Sequence, residues 1–315
     1  MTKFNICFDK RFEILQGIVI AFIEKYQNLK DDYDWVEIFD CQYVKDLIAK
    51  INIDKYPIII DYIKSITDCG YYSELFLYFD QNMNFYSGFN KKAFKKGSNN
   101  LFAKELKKLY DNENLESFFQ ENIPQLNNLI EPVKKDLKII DLEKLNEFYD
   151  YKNQKYNVLL SFLANGGFGF KKGNDLWYFR GLKYVDNQFV INKDTLIVCL
   201  FHEYSHPKVN KLVDKCFNMF DKIKLEKMYN EAIINGLSKC YQKKKTFLYE
   251  YFVRANAIFL AKDYVSYNYL IDEINWTKRI GFIYIEKFIE LIESKKGKYN
   301  NIFLDSLIPF FNNII

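Results

Sequence analysis

Both histidines of this chain fall within five residues, His202-Glu203-Tyr204-Ser205-His206. That spacing is H-E-x-x-H. Helical positions four apart share a face, so on a helix the two imidazoles point the same way and lie close enough to bind one Zn²⁺. Glu203 is turned about 100° from His202, which puts its carboxylate beside the ion, where it can take a proton from a bound water. Two histidines dropped at random would fall four apart, with a glutamate in second place, roughly once in a few thousand trials. The apolar run Leu196-Ile197-Val198-Cys199-Leu200-Phe201 before the motif points to a buried helix, with Asn192 or Asp194 at its cap. Pro207 disfavours helical geometry at His206 and is expected to end or kink the helix there.

A closed structural zinc site needs four protein ligands. No histidine is left and Cys199 is the only close thiol, so an open, catalytic site is the expectation. The third ligand must come from Asp, Glu or, less readily, Cys, and the candidates are Asp214, Glu226, Glu231 and Glu250. Glu226 has lysines on both sides and reads as half solvated. Glu250 lies in 247–261, a segment apolar on almost every face, where a carboxylate needs a cation nearby. Arg254, one turn on, is either a simple i, i+4 partner of Glu250 or a donor to a developing oxyanion. Because histidine cannot fill the oxyanion role, Tyr241 and Arg254 are the candidates for it. Asn210, four residues beyond His206, either supports that ligand or makes a turn.

The elements that must position these groups follow from periodicity. Apolar residues recur at three and four through residues 11 to about 150, giving helices over 12–26, 44–51, 57–66, 72–80 and 101–110 and a longer one over 123–148. Residues 88–100 read as a loop. The pattern changes near 152: Lys155 to Leu163 reads as a strand entering the tight turn Asn165-Gly166-Gly167-Phe168-Gly169. Strands over 176–184 and 188–191 are joined hairpin-fashion through Asp186-Asn187. Almost everything from Thr195 onward is helical, broken near Pro207, Gly236, Gly281 and Gly297. The expected class is therefore α+β, mainly helical: a helical region over 1–150, a small antiparallel sheet packed on the H-E-x-x-H helix, and a helical remainder making 151–315 the chemical region.

Composition narrows the partners. With 45 Lys plus Arg against 41 Asp plus Glu, the 315-residue chain carries +4, spread as lysine among acids, and only four residues are arginine. The lysine clusters at 91–96, 243–245 and 295–298 are too short for a nucleic-acid surface, so no nucleic-acid partner is expected. Apolar runs fall short of the ~20 residues that span a bilayer. The N-terminus does not read as a signal peptide, which favours the cytoplasm. Six widely spaced cysteines with no C-x-x-C pair read as reduced thiols.

Three segments together, His202-Glu203-Tyr204-Ser205-His206-Pro207-Lys208-Val209-Asn210, Tyr249 to Ala255, and Val158 to Ser161 with Asn165 to Gly169, resemble an uncharacterised bacterial domain family classed with the gluzincin metallopeptidases. The resemblance extends loosely over most of the chain. It implies a zinc cofactor held by His202, His206 and Glu250, with Glu203 as catalytic base and a peptide or protein as substrate. Such peptidases bind an extended peptide along a sheet edge above the zinc helix, which here implies the strand from Lys155, with Asn165, Gly166 and Gly167 touching substrate. The competing expectation is a non-catalytic peptide- or protein-binding protein on the same fold.

Overall fold

The computed structural model describes residues 3–27, 33, 36, 38–66, 69–86, 98–238, 241 and 243–314. Most of the loop expected over 88–100, and the lysines at 91–96, lie outside the described residues. A four-stranded sheet built from β1 (Phe4–Cys7), β2 (Lys155–Ser161), β3 (Gly167–Lys172) and β4 (Asp175–Gly181) has the order β1-β2-β4-β3. β1, β2 and β4 are parallel, and only β3 runs antiparallel, against β4. The sheet is therefore mixed, not antiparallel as expected. The reason is legible in β2, which is buried at every position from Tyr156 onward; a run without polar alternation is what a central parallel strand, covered on both faces, requires.

Helices cover both faces of the sheet. On one side Val158, Leu160 and Tyr178 pack with Leu196, Leu200 and Tyr204 of the motif helix Lys193–Cys216 and with the glutamate helix Lys244–Ala261. On the other, Leu159 and Phe179 pack with Phe12, Leu15 and Phe76 of the N-terminal helices, and the Phe12 and Phe179 rings stack at 4.7 Å. The first core also takes in Ile6 and apolar residues between 130 and 149, so the N-terminal strand and the helices before β2 are built into the layer that carries the motif.

The expected hairpin forms from the end of its first strand only, because the run expected over 176–184 divides into β4 of the main sheet and a separate short strand. β5 (Lys183–Val185) and β6 (Gln188–Val190) pair as a separate antiparallel ribbon, and Asp186 and Asn187 both take positive φ (51° and 61°), the two-residue turn that matches strand twist. Gly236, Gly281 and Gly297 sit at breaks between helices with φ of 93° to 116°. The expected helix over 123–148 is instead three, Leu115–Asn127, Ile130–Leu137 and Leu142–Tyr149, because Asp141 caps the last through the amides of Glu143 and Lys144.

The motif helix also corrects the expectation for Pro207. It runs unbroken for 24 residues, with Pro207 inside it. A helix-interior proline costs about 3 kcal/mol. Burial of Leu200, Phe201 and Tyr204 before it, and of Val209 and Val213 after it, outweighs that local cost, each such side chain contributing about 1.5–3 kcal/mol. Asn192 caps the helix by accepting from Thr195 N at 2.9 Å. Asp194 instead accepts from Ser266 N and Oγ, tying down the start of the helix Tyr267–Arg279. Among the described residues, no helix is long and apolar enough to cross a membrane.

Candidate metal centre

Because the motif helix continues through Pro207, His202 and His206 stay on one face, with their Nε2 atoms 3.1 Å apart. The glutamate helix lies alongside and delivers Glu250, whose Oε2 is 3.6 Å from His202 Nε2 and whose Oε1 is 3.5 Å from His206 Nε2. Zinc–nitrogen and zinc–oxygen bonds are about 2.0–2.2 Å, so two ligands of one tetrahedral ion lie about 3.4 Å apart. The three separations bracket that value, and two nitrogens with one carboxylate are a donor set suited to zinc.

The state of His202 fits as well. Burial, then the proximity of His206 and Arg254, holds His202 well below the usual histidine value, in the neutral form that coordinates a metal. His206 Nδ1 donates to Asn210 Oδ1 at 3.3 Å, which turns the lone pair of Nε2 toward Glu250. Unbroken helical geometry past Pro207 is what brings Asn210 one turn beyond its histidine. Oε2 of Glu250 is buried without a hydrogen-bond donor; Arg254 Nη2 stands 3.4 Å from it. A cation held between the two imidazoles and this carboxylate would give Oε2 the close partner that Arg254 does not.

Glu203 shares the cluster, since its carboxylate and the two histidines have ligand atoms within 4.8 Å of one another. Its surroundings separate it from Glu250. Burial pushes its pKa up to about 7 against the pull of His206, and the Gly169 amide donates to it. Gly169 belongs to β3, the edge strand, which alternates glycine and phenylalanine. Phe168 and Phe170 stack on Phe179 toward the N-terminal layer, while Gly167 and Gly169 face the motif helix. A Cβ at Gly169 would stand 2.7 Å from Glu203 Cβ and 2.7 Å from the Trp177 carbonyl oxygen, so only glycine lets the strand approach this closely.

Arg254 is buried, donates from Nη2 to the Tyr241 hydroxyl at 3.3 Å and packs over Trp276 and Phe282. The two oxyanion candidates are thus brought together on the Glu250 side of the cluster. The other acidic candidates are engaged elsewhere: Glu226 with Lys244, Asp214 with Lys245 and Tyr249, Glu231 with the Tyr284 hydroxyl. Asn165, Gly166 and Gly167 are exposed at the bend between β2 and β3, and Gly166 O accepts from Gly181 N. The expectation that β2 offers the sheet edge is corrected: it lies between β1 and β4, and the edge beside the motif helix is β3. In the sequence the same residues read as a turn. Its Gly-Phe-Gly-Phe-Lys-Lys alternation, period two with a bare face, was the available signal.

The family described as "Domain of unknown function (DUF4932)" matches residues 90–315. The chain belongs to this family. The DUF4932 span contains the whole cluster, from Gly169 on β3 through the motif helix to Arg254, together with the helices that cover it. No curated protein and no solved structure matches the chain.

Proposed function

We infer that this DUF4932 protein is a zinc-dependent, peptidase-like hydrolase of the gluzincin type. One observation carries the inference: two imidazole nitrogens and a buried carboxylate from a second helix converge at 3.1–3.6 Å, with the half-buried Glu203 carboxylate beside them. His202, His206 and Glu250 would hold the ion, which when bound acidifies water and polarises a carbonyl.

The remaining work falls to the chain. Glu203, poised near neutrality by burial, takes a proton from water and returns it to the departing amide nitrogen. The Gly169 amide fixes the direction of that carboxylate. Arg254 holds Glu250 in place, and with Tyr241 offers donors toward negative charge on the carbonyl oxygen. The open edge of β3 can take an extended peptide as an added strand, which sets its carbonyl over the cluster.

The test is Glu203→Gln in the zinc-loaded protein, assayed by mass spectrometry against a mixed peptide library. Hydrolysis should disappear while zinc stays at one per chain. If the unmodified zinc-loaded protein cleaves nothing in such a library, the peptidase reading fails and a non-catalytic peptide-binding role on the same scaffold replaces it.

A further inference from the structure

Arginine is scarce in this chain, and each one reports on its surroundings. Arg11 is held by Asp9, Arg254 by Glu250, and Arg279 is exposed. Arg180, at the end of β4, is different. It is 7% exposed, yet among the described residues no carboxylate lies within ion-pair distance of it. Its Nη1 is 3.9 Å from Cys199 Sγ and its Nε has no hydrogen-bond partner. The neighbouring Tyr178 hydroxyl and Cys199 thiol are both pushed up by burial, so neither offers a counter-charge. Taking a guanidinium out of water without an anion is costly, and a carboxylate is the group whose two oxygens match its fork.

Its position says where. Arg180 and Tyr178 stand on the motif-helix face of β4, opposite Gly167 and Gly169 of β3. Gly169 is the residue that meets Glu203, and Cys199 lies one helical turn before Glu203 on the same helix. The guanidinium is therefore about 6 Å along the helix from the Glu203 level. Two residues of extended peptide span about 6.6–6.8 Å. On this face β3 has no side chain at 167 or 169, where the Tyr178 ring and Glu203 pack directly against the strand's backbone, so Arg180, Tyr178 and Glu203 share one face beside the edge strand.

We propose that Arg180 binds a carboxylate carried by the peptide within a residue or two of the scissile bond, which selects for substrates that present one there. The peptidase reading supplies the word substrate; the binding itself does not depend on it. A terminal carboxylate and an Asp or Glu side chain offer the same two-oxygen partner to a guanidinium fork. The first source would make the protein act at chain ends, the second beside acidic residues.

Three acetylated pentapeptides separate the outcomes: one with a free C-terminus, the same peptide amidated, and an amidated version carrying a single Glu. Each is titrated by calorimetry into full-length, zinc-loaded protein carrying Glu203→Gln, so that binding is read without turnover. At least one carboxylate peptide should bind about 30-fold or more tightly than the neutral amide, the scale of a desolvated charge pair. The arm that wins names the source. Arg180→Met should bring the ratio close to one, and Arg180→Lys should retain only part of it. Equal or unmeasurable binding of all three peptides, or a ratio that survives Arg180→Met, overturns the proposal. If Arg180→Met does not fold, as judged by circular dichroism, the ratio in the Arg180 protein and its fall in Arg180→Lys decide. A protein that shows the ratio but never cleaves would overturn the peptidase reading and leave this one standing.

Discussion

Replacing Gly169 by alanine perturbs the site through one methyl group. The added Cβ would stand 2.7 Å from Glu203 Cβ, 2.7 Å from the Trp177 carbonyl oxygen and 3.2 Å from Glu203 Oε2, whereas ordinary contact begins near 3.4 Å. Two of the three obstacles belong to a helix and to the neighbouring strand's backbone, so no side-chain rotation relieves them. Either β3 lifts off the motif helix or its pairing with β4 opens at Tyr178. Overpacking of this kind costs about 1–3 kcal/mol. The larger effect is on alignment, because the Gly169 amide that orients Glu203 moves with the strand, and a displacement of ~1 Å at reacting groups costs about 100-fold. The account expects Gly169→Ala to lower kcat/KM about 100-fold, shift urea unfolding by about 1–3 kcal/mol and leave zinc at its original stoichiometry. Gly166→Ala is the control: that glycine has φ +72° and nothing near its Cβ position, so it carries backbone strain without touching Glu203. Unchanged kcat/KM and unchanged unfolding in Gly169→Ala would refute the claim that β3 is pressed against the base.

Other outcomes follow from the same geometry. Glu250→Gln should weaken zinc at least about 100-fold in a chelator competition, while Glu226→Gln, which breaks only a surface pair with Lys244, should not; the reverse would transfer the ligand role. Asn210→Leu should weaken zinc about 10–100-fold by releasing His206 Nδ1, a loss that would show as faster zinc transfer to a chelator. Glu13, fully buried in the N-terminal layer, has its pKa pushed by burial from 4.5 to about 8. The native state holds that proton more tightly than the unfolded state, so the stability tied to it is complete below about pH 4.5 and lost as pH rises through 8. Glu13→Gln should therefore flatten urea stability between pH 5 and 8 by up to about 1.4 kcal/mol per pH unit; parallel pH curves for variant and parent would contradict this.

Much of the site was legible because its signals are local. The spacing of His202 and His206 puts them on one helical face, and the unbroken apolar character of 247–261 marks a helix buried all round. The choice between Glu226 and Glu250 came down to which helix is apolar all round. What stayed hidden depends on tertiary partners. β1 is four residues long and becomes a strand only because β2 offers an edge 152 residues away. β3 looked like a turn because its glycines signal backbone freedom, and only the presence of the motif helix makes them a close-packed face. Pro207 misled because its local preference is real, yet buried residues on both sides hold the helix together. Arg180 carries no pattern in the sequence, because only the fold shows that, among the described residues, no carboxylate stands within ion-pair distance of it.

Whether His202, His206 and Glu250 form one metal site is decided by metal analysis. Protein purified without chelators, repleted with zinc and desalted should hold about one zinc per chain by plasma mass spectrometry, and His202→Ala protein treated alike should hold close to none. Zinc well below stoichiometry in the repleted parent protein, or retained in full by His202→Ala, would rule that site out.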